Sequence, residues 1–255
     1  MQGPAPVLAV VLFEIALGSL ALLWVAPLWG VVRPGFFKLV GATVVACAGL
    51  AFVAGRAELE VAGPDGRAAA RWLSVFALAA LVWQVLVYAK RGMAGRWAGM
   101  LAVLPGLAVV WPLAALSGRP LAGAVALLTG ALFLGATTDG LLLGHWYLVD
   151  RRLSNRPILA LATWLIVGVA AALVSAFLGG ERGGRIDQSL SPLLAFPNLT
   201  VWLAVGLVLV CALLAGFIRV LVRGGSIQAA TGMFYLAVVM ALAAEFAAKV
   251  YFFQA

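Results

Sequence analysis

Long apolar runs alternate with short polar connectors along the whole chain. A helix that crosses a bilayer needs about 20 consecutive, mostly apolar residues. By that measure the pattern predicts eight spans, at about 7–31, 36–55, 72–89, 97–116, 121–149, 157–179, 199–222 and 229–253. Polar breaks separate them. Arg33-Pro34-Gly35 makes the first turn, and residues 56–71 read as a polar loop around a Pro-Asp-Gly turn signal. Residues 180–198 form the longest connector. No linker divides the chain and no internal repeat stands out, so the expectation is one integral membrane domain over residues 1–255. The predicted fold class is all-α: a polytopic transmembrane helix bundle.

Composition agrees with that pattern. The chain has 255 residues, 65% of them hydrophobic and only 10% charged. Soluble domains carry roughly 45–50% apolar and about 25% charged residues, so the lipid bilayer is the expected surrounding. The formal charge of +8 would suggest nucleic acid in a soluble protein. Here the basic residues are scattered between spans without a continuous patch, which excludes that partner and assigns them to lipid headgroups.

Basic residues also set the orientation. The connectors after the odd-numbered spans hold Arg33, Lys38, Lys90, Arg91, Arg96, Arg151, Arg152, Arg156, Arg219 and Arg223, with Asp150 as their acid. The opposite side mixes its cations with Glu58, Glu60, Asp65, Glu181 and Asp187. The first side is expected to be cytoplasmic, with both termini outside, in the inner membrane of a bacterium. No cleavable signal is evident before Val7, so the first span is expected to be retained.

Ionisable residues at membrane depth are expensive and mark candidate sites. Asp139 lies in the inner half of the fifth span, beside Thr137 and Thr138. Glu14 lies about two turns into the first span, in the outer half, with no cation in its own span. Its partner must come from another helix, or the acid carries a proton. Asp139 and Glu14 are the candidates for proton transfer. Glu245 and Lys249, four residues apart in the eighth span, share a helix face and form an expected structural ion pair at a depth similar to Glu14. His145, the only histidine, lies six residues beyond Asp139, so the two side chains point apart. His145 and Tyr147 are candidates for hydrogen bonding to a quinone.

Much chemistry is missing. One histidine cannot supply both axial ligands of a bis-histidine haem, and none is expected within this chain. Cys47 and Cys211 lie in separate apolar spans as small packing residues, and no metal site is expected. No phosphate-binding Gly-rich loop, H-E-x-x-H or G-x-S-x-G motif occurs. The Gly130, Gly135, Gly140 and Gly144 series marks the fifth span as one that neighbours can approach closely.

The eighth span ends Glu245-Phe246-Ala247-Ala248-Lys249-Val250-Tyr251-Phe252-Phe253. This resembles the C-terminal E-x-x-G-R-x-x-F-Y pattern of dimethyl-sulfoxide-reductase-type and polysulfide-reductase-like membrane anchor subunits. Glu245 and Phe252 match it; Ala248, Lys249 and Phe253 replace Gly, Arg and Tyr. The resemblance implies a haem-free helical anchor that binds quinol and passes electrons to an iron–sulfur partner. It places no quinone-site residue on the early helices. From the residues themselves, three roles stand open: a quinone-binding subunit beside redox partners, a proton, cation or small-solute transporter subunit, and a structural scaffold of a membrane complex.

Overall fold

The structure is a computed structural model, and it describes residues 4–90, 92–150, 152–178 and 199–250. Eight helices make it up: α1 (Pro4–Val25), α2 (Pro34–Val61), α3 (Gly63–Tyr88), α4 (Gly92–Ala115), α5 (Pro120–Val149), α6 (Arg156–Leu178), α7 (Leu199–Arg223) and α8 (Ile227–Lys249). All eight are long and apolar enough to span a membrane, and the described residues contain no strand. At about 1.5 Å rise per residue, even the shortest covers the roughly 30 Å of hydrocarbon. Large apolar side chains such as Val53, Leu78, Leu213 and Val220 lie on the outside. Water would penalise that surface, whereas lipid solvates it.

Helix starts follow from proline. Pro34, Pro64 and Pro120 each occupy the first turn of their helix, where the missing N–H costs nothing and the fixed φ suits the helix. One expectation is corrected by this rule. Residues 56–71 are helical on both sides of a tight joint at Ala62, because Pro64 and Asp65 open α3 rather than forming a turn. The joint needs Gly63 at φ 89°, a left-handed conformation that disfavours a side chain. α2 and α3 therefore project beyond the apolar stretches. Arg56 and Glu60 pair there at 2.7 Å while remaining half exposed. Arg56→Ala is expected to change stability by no more than about 0.5 kcal/mol in a thermal melt in detergent. The longest connector, residues 180–198, lies outside the described residues.

The helices pack as two groups of four. α2 lies between α1 and α3, and α3 packs on α4; α5 packs on α6 and α8, and α7 joins those two. α1 and α5, the first helix of each group, meet at the centre and are the most enclosed. Small residues permit that contact. A Cβ on Gly18 would fall 1.7 Å from the carbonyl oxygen of Ala131, and one on Gly135 would fall 2.3 Å from the Gly18 carbonyl carbon. Further along α5, Gly140 receives the Phe234 ring and Gly144 receives Thr231, both from α8. The fifth helix thus touches both halves through its glycines. Phe13 of α1 meets Phe76 of α3 edge-on at 6.0 Å, and Trp83 of α3 is fully buried.

Candidate functional site: a buried acid–base cluster

Glu14, Glu245 and Lys249 meet inside the bundle. Lys249 Nζ lies 2.9 Å from Oε1 of Glu14, an ion-pair contact between α8 and α1. The same ammonium donates to Oε2 of Glu245 at 2.9 Å and to the Ala126 carbonyl of α5 at 3.1 Å. All three charged residues are buried. α8 can supply two of them to one point because i and i+4 share a helix face. The third comes from α1, held against α5 by the contact at Gly18.

Gly130 makes room for the cluster. A Cβ at that position would sit 2.5 Å from Glu14 Oε1 and 2.9 Å from Glu245 Oε2. The absent side chain is the space both carboxylates occupy. Charge counting gives the site its character. Two carboxylates and one ammonium leave one negative charge among the described residues, and an unbalanced charge in hydrocarbon is costly. A bound proton or cation restores neutrality. Oε2 of Glu14 receives no hydrogen bond from the described residues, so one oxygen of the cluster stands ready for that proton.

Asp139 occupies a second, separate position about 13 Å further along α5 than Gly130. It is fully buried, and the polar side chain that faces it is Ser19 of α1. Neither carboxyl oxygen, nor the Ser19 hydroxyl, completes an aligned hydrogen bond within the described residues. Thr137 does not help: its hydroxyl donates back to the Leu134 carbonyl of its own helix at 2.8 Å. Gln84 is also engaged elsewhere, donating to the Lys38 carbonyl at 2.9 Å.

His145 and Tyr147 part company. His145 is exposed at the α5–α8 edge, where Nδ1 lies 3.0 Å from the Tyr235 hydroxyl. The two rings meet edge-on at 5.7 Å. Tyr147 points the other way, is buried, and donates its phenol proton to the Ser154 carbonyl in the α5–α6 connector. Asp139 and His145 face different neighbours, as six residues of helix require. The structure therefore joins Glu14 to the Glu245–Lys249 pair and leaves Asp139, His145 and Tyr147 at three other places.

Two contributors escaped the sequence. The Ala126 carbonyl carries no side-chain signal at all. Nothing in the sequence sets Ser19 apart; the α1–α5 contact places it opposite Asp139. Gly130 was visible only as one of a series of glycines. Cys47 and Cys211 are free thiols on α2 and α7. Among the described residues no group of three or more His, Cys, Asp or Glu side chains converges as a metal site.

No protein-family model, no curated protein and no solved structure matches this chain.

Proposed function

We propose that this membrane protein is the quinone-binding subunit of an electron-transfer assembly, with the redox centres on partner subunits and the protons handled by its own buried carboxyls. The Glu14–Lys249–Glu245 cluster carries this reading. Glu245 and Lys249 are the two charged positions of the C-terminal anchor-subunit pattern, and they are the two that α8 brings to Glu14. Tyr251, Phe252 and Phe253 of the same pattern lie outside the described residues.

The chemistry balances with few parts. Oxidation of a quinol releases two electrons and two protons. The electrons leave to an iron–sulfur or haem centre on a partner. The protons need acceptors at membrane depth, and buried carboxyls are suited to that task. Among the described residues the cluster has one more acid than base, and it can take up a proton while Lys249 keeps its bonds to Glu245 and Ala126. Asp139 is a second acceptor in the inner half. The His145–Tyr235 edge offers hydrogen bonds to a quinone carbonyl from the lipid side.

Gentle purification from native membrane, followed by quinone extraction and identification of copurifying proteins, tests the assignment. Stoichiometric quinone with an iron–sulfur or cytochrome partner is the expected result; a lone protein with neither overturns it. Within such an assembly, Asp139→Asn is expected to slow quinol turnover by at least about 100-fold while leaving assembly intact. Unchanged turnover in a fully assembled variant removes Asp139 from the proton route.

Transport is the alternative that one observation favours. A cavity of about 60 Å³ between α5, α6, α7 and α8 reaches Glu245 and Lys249, with Thr129 and Ser175 among its lining residues. A cation or proton path to the cluster would use such an opening. Ion flux in liposomes containing the protein alone separates the two functions, because an electron-transfer subunit without partners carries none.

A further inference from the structure

The basic end of the bundle encloses a larger cavity that the proton chemistry does not use. It has a volume of about 630 Å³ and lies between the α1–α2 connector, the start of α2, the end of α3 and the start of α4. Arg33, Lys38, Lys90 and Arg96 line it, and among the described residues no acidic side chain does. Lys90 turns the chain between α3 and α4 with φ 55°, a left-handed conformation unusual for a residue with a long side chain.

The floor is aromatic. Trp29 stacks on Phe37 with ring centroids 3.9 Å apart and planes inclined by 18°. Trp24 extends the stack behind Trp29 at 5.0 Å. The Arg96 guanidinium lies over the Trp29 ring at 5.9 Å, and the Lys38 ammonium lies over Tyr88 at 4.8 Å. On the rim, Asp150 binds Arg33 Nε at 3.0 Å. Four cations around one opening repel each other, and one carboxylate does not balance them.

An anion with several acceptor oxygens relieves that repulsion and accepts hydrogen bonds from those cations. A free phosphate would use the cations and leave the aromatic floor bare. An amphiphile uses both. The cavity also sits at the level of an interface: Tyr88 and Trp97, exposed aromatic residues close to Lys90 and Arg96, mark where hydrocarbon gives way to headgroups. Basic pockets between helices at this depth suit acidic headgroups. We propose that this cavity binds the phosphate headgroup of an anionic phospholipid, with the glycerol and upper acyl chain against Trp29 and Phe37.

The test titrates the whole protein, delipidated in an uncharged detergent, with phosphatidylglycerol, phosphatidylcholine and inorganic phosphate, reading bound lipid by native mass spectrometry. Phosphatidylglycerol is expected to bind at least about tenfold more tightly than phosphatidylcholine. Each cation near the surface accounts for about fivefold, so Lys90→Gln weakens retention about fivefold and the Lys90→Gln/Arg96→Gln pair about thirtyfold. Arg56→Gln, at the opposite end of α2, leaves it unchanged. Equal binding of the two lipids, or equal loss from Arg56→Gln, overturns the site. Displacement of the lipid by millimolar inorganic phosphate overturns the lipid assignment and makes the ligand a soluble phosphate. If the double variant does not purify, the two-lipid comparison on the unaltered protein still decides.

Discussion

Lys249→Met is expected to cost about 3–5 kcal/mol and to lower the thermal midpoint in detergent by roughly 10 °C. The substitution keeps the length of the side chain and removes only its charge and donors. Glu14 and Glu245 would then face each other beside Gly130 with no cation from the described residues between them. Leaving one partner of a buried ion pair behind is far worse than replacing the whole group. The triple variant Glu14→Gln/Glu245→Gln/Lys249→Met should therefore recover most of the lost stability, because it buries no uncompensated charge. That recovery is the informative half of the experiment. A triple variant that melts like the unaltered protein and has lost quinol turnover assigns the cluster to chemistry. One that melts normally and keeps full turnover makes the three charges a dispensable staple. If Lys249→Met itself leaves the midpoint unchanged, the cluster contributes no net stability.

Gly18→Leu is expected to have the larger effect on the fold. A side chain there meets the Ala131 carbonyl of α5, and backbone cannot move aside as a flexible side-chain end can. α1 must be pushed away from α5, which opens the centre of the bundle. The cost should exceed about 4 kcal/mol, and the variant should not purify as a single species in size-exclusion chromatography. Glu14 lies one turn away on the same face of α1, so the same displacement pulls its carboxyl off Lys249. Gly206→Leu supplies the control, since the space around that glycine is empty. It should behave as the unaltered protein does. Equal behaviour of the two variants would show that α1 and α5 can part to admit a side chain at Gly18 without loss of the fold.

The eight helices were legible because hydrocarbon thickness imposes a length, and length is visible in one dimension. Their ends were less so. Residues 56–71 carry Arg56, Glu58, Glu60 and Pro64, a composition that reads as loop. Helices that extend past the hydrocarbon need polar residues as well, and a proline in the first turn starts a helix as readily as it makes a turn. The depth match of Glu14, Glu245 and Lys249 could be read from their distances to the span ends. That they touch could not, because it depends on which helices are neighbours. Asp139 stood out by its cost, yet Ser19 as its opposite depends on the α1–α5 contact. Trp24 and Trp29 lie near the end of the first apolar run, where position alone marks a tryptophan as an interfacial anchor. Their stacking on Phe37 into one floor follows from the α1–α2 connector folding back, which no periodicity reveals.

Lys249 joins Glu14 to a helix that is synthesised 235 residues later in the chain. At synthesis rates of roughly 5–20 residues per second, α1 waits tens of seconds in the membrane before α8 arrives. During that wait its acid has no ammonium partner. An insertion intermediate lacking α8 thus displays a lone carboxyl in lipid, a mark by which membrane quality control can distinguish an unfinished chain from a closed one.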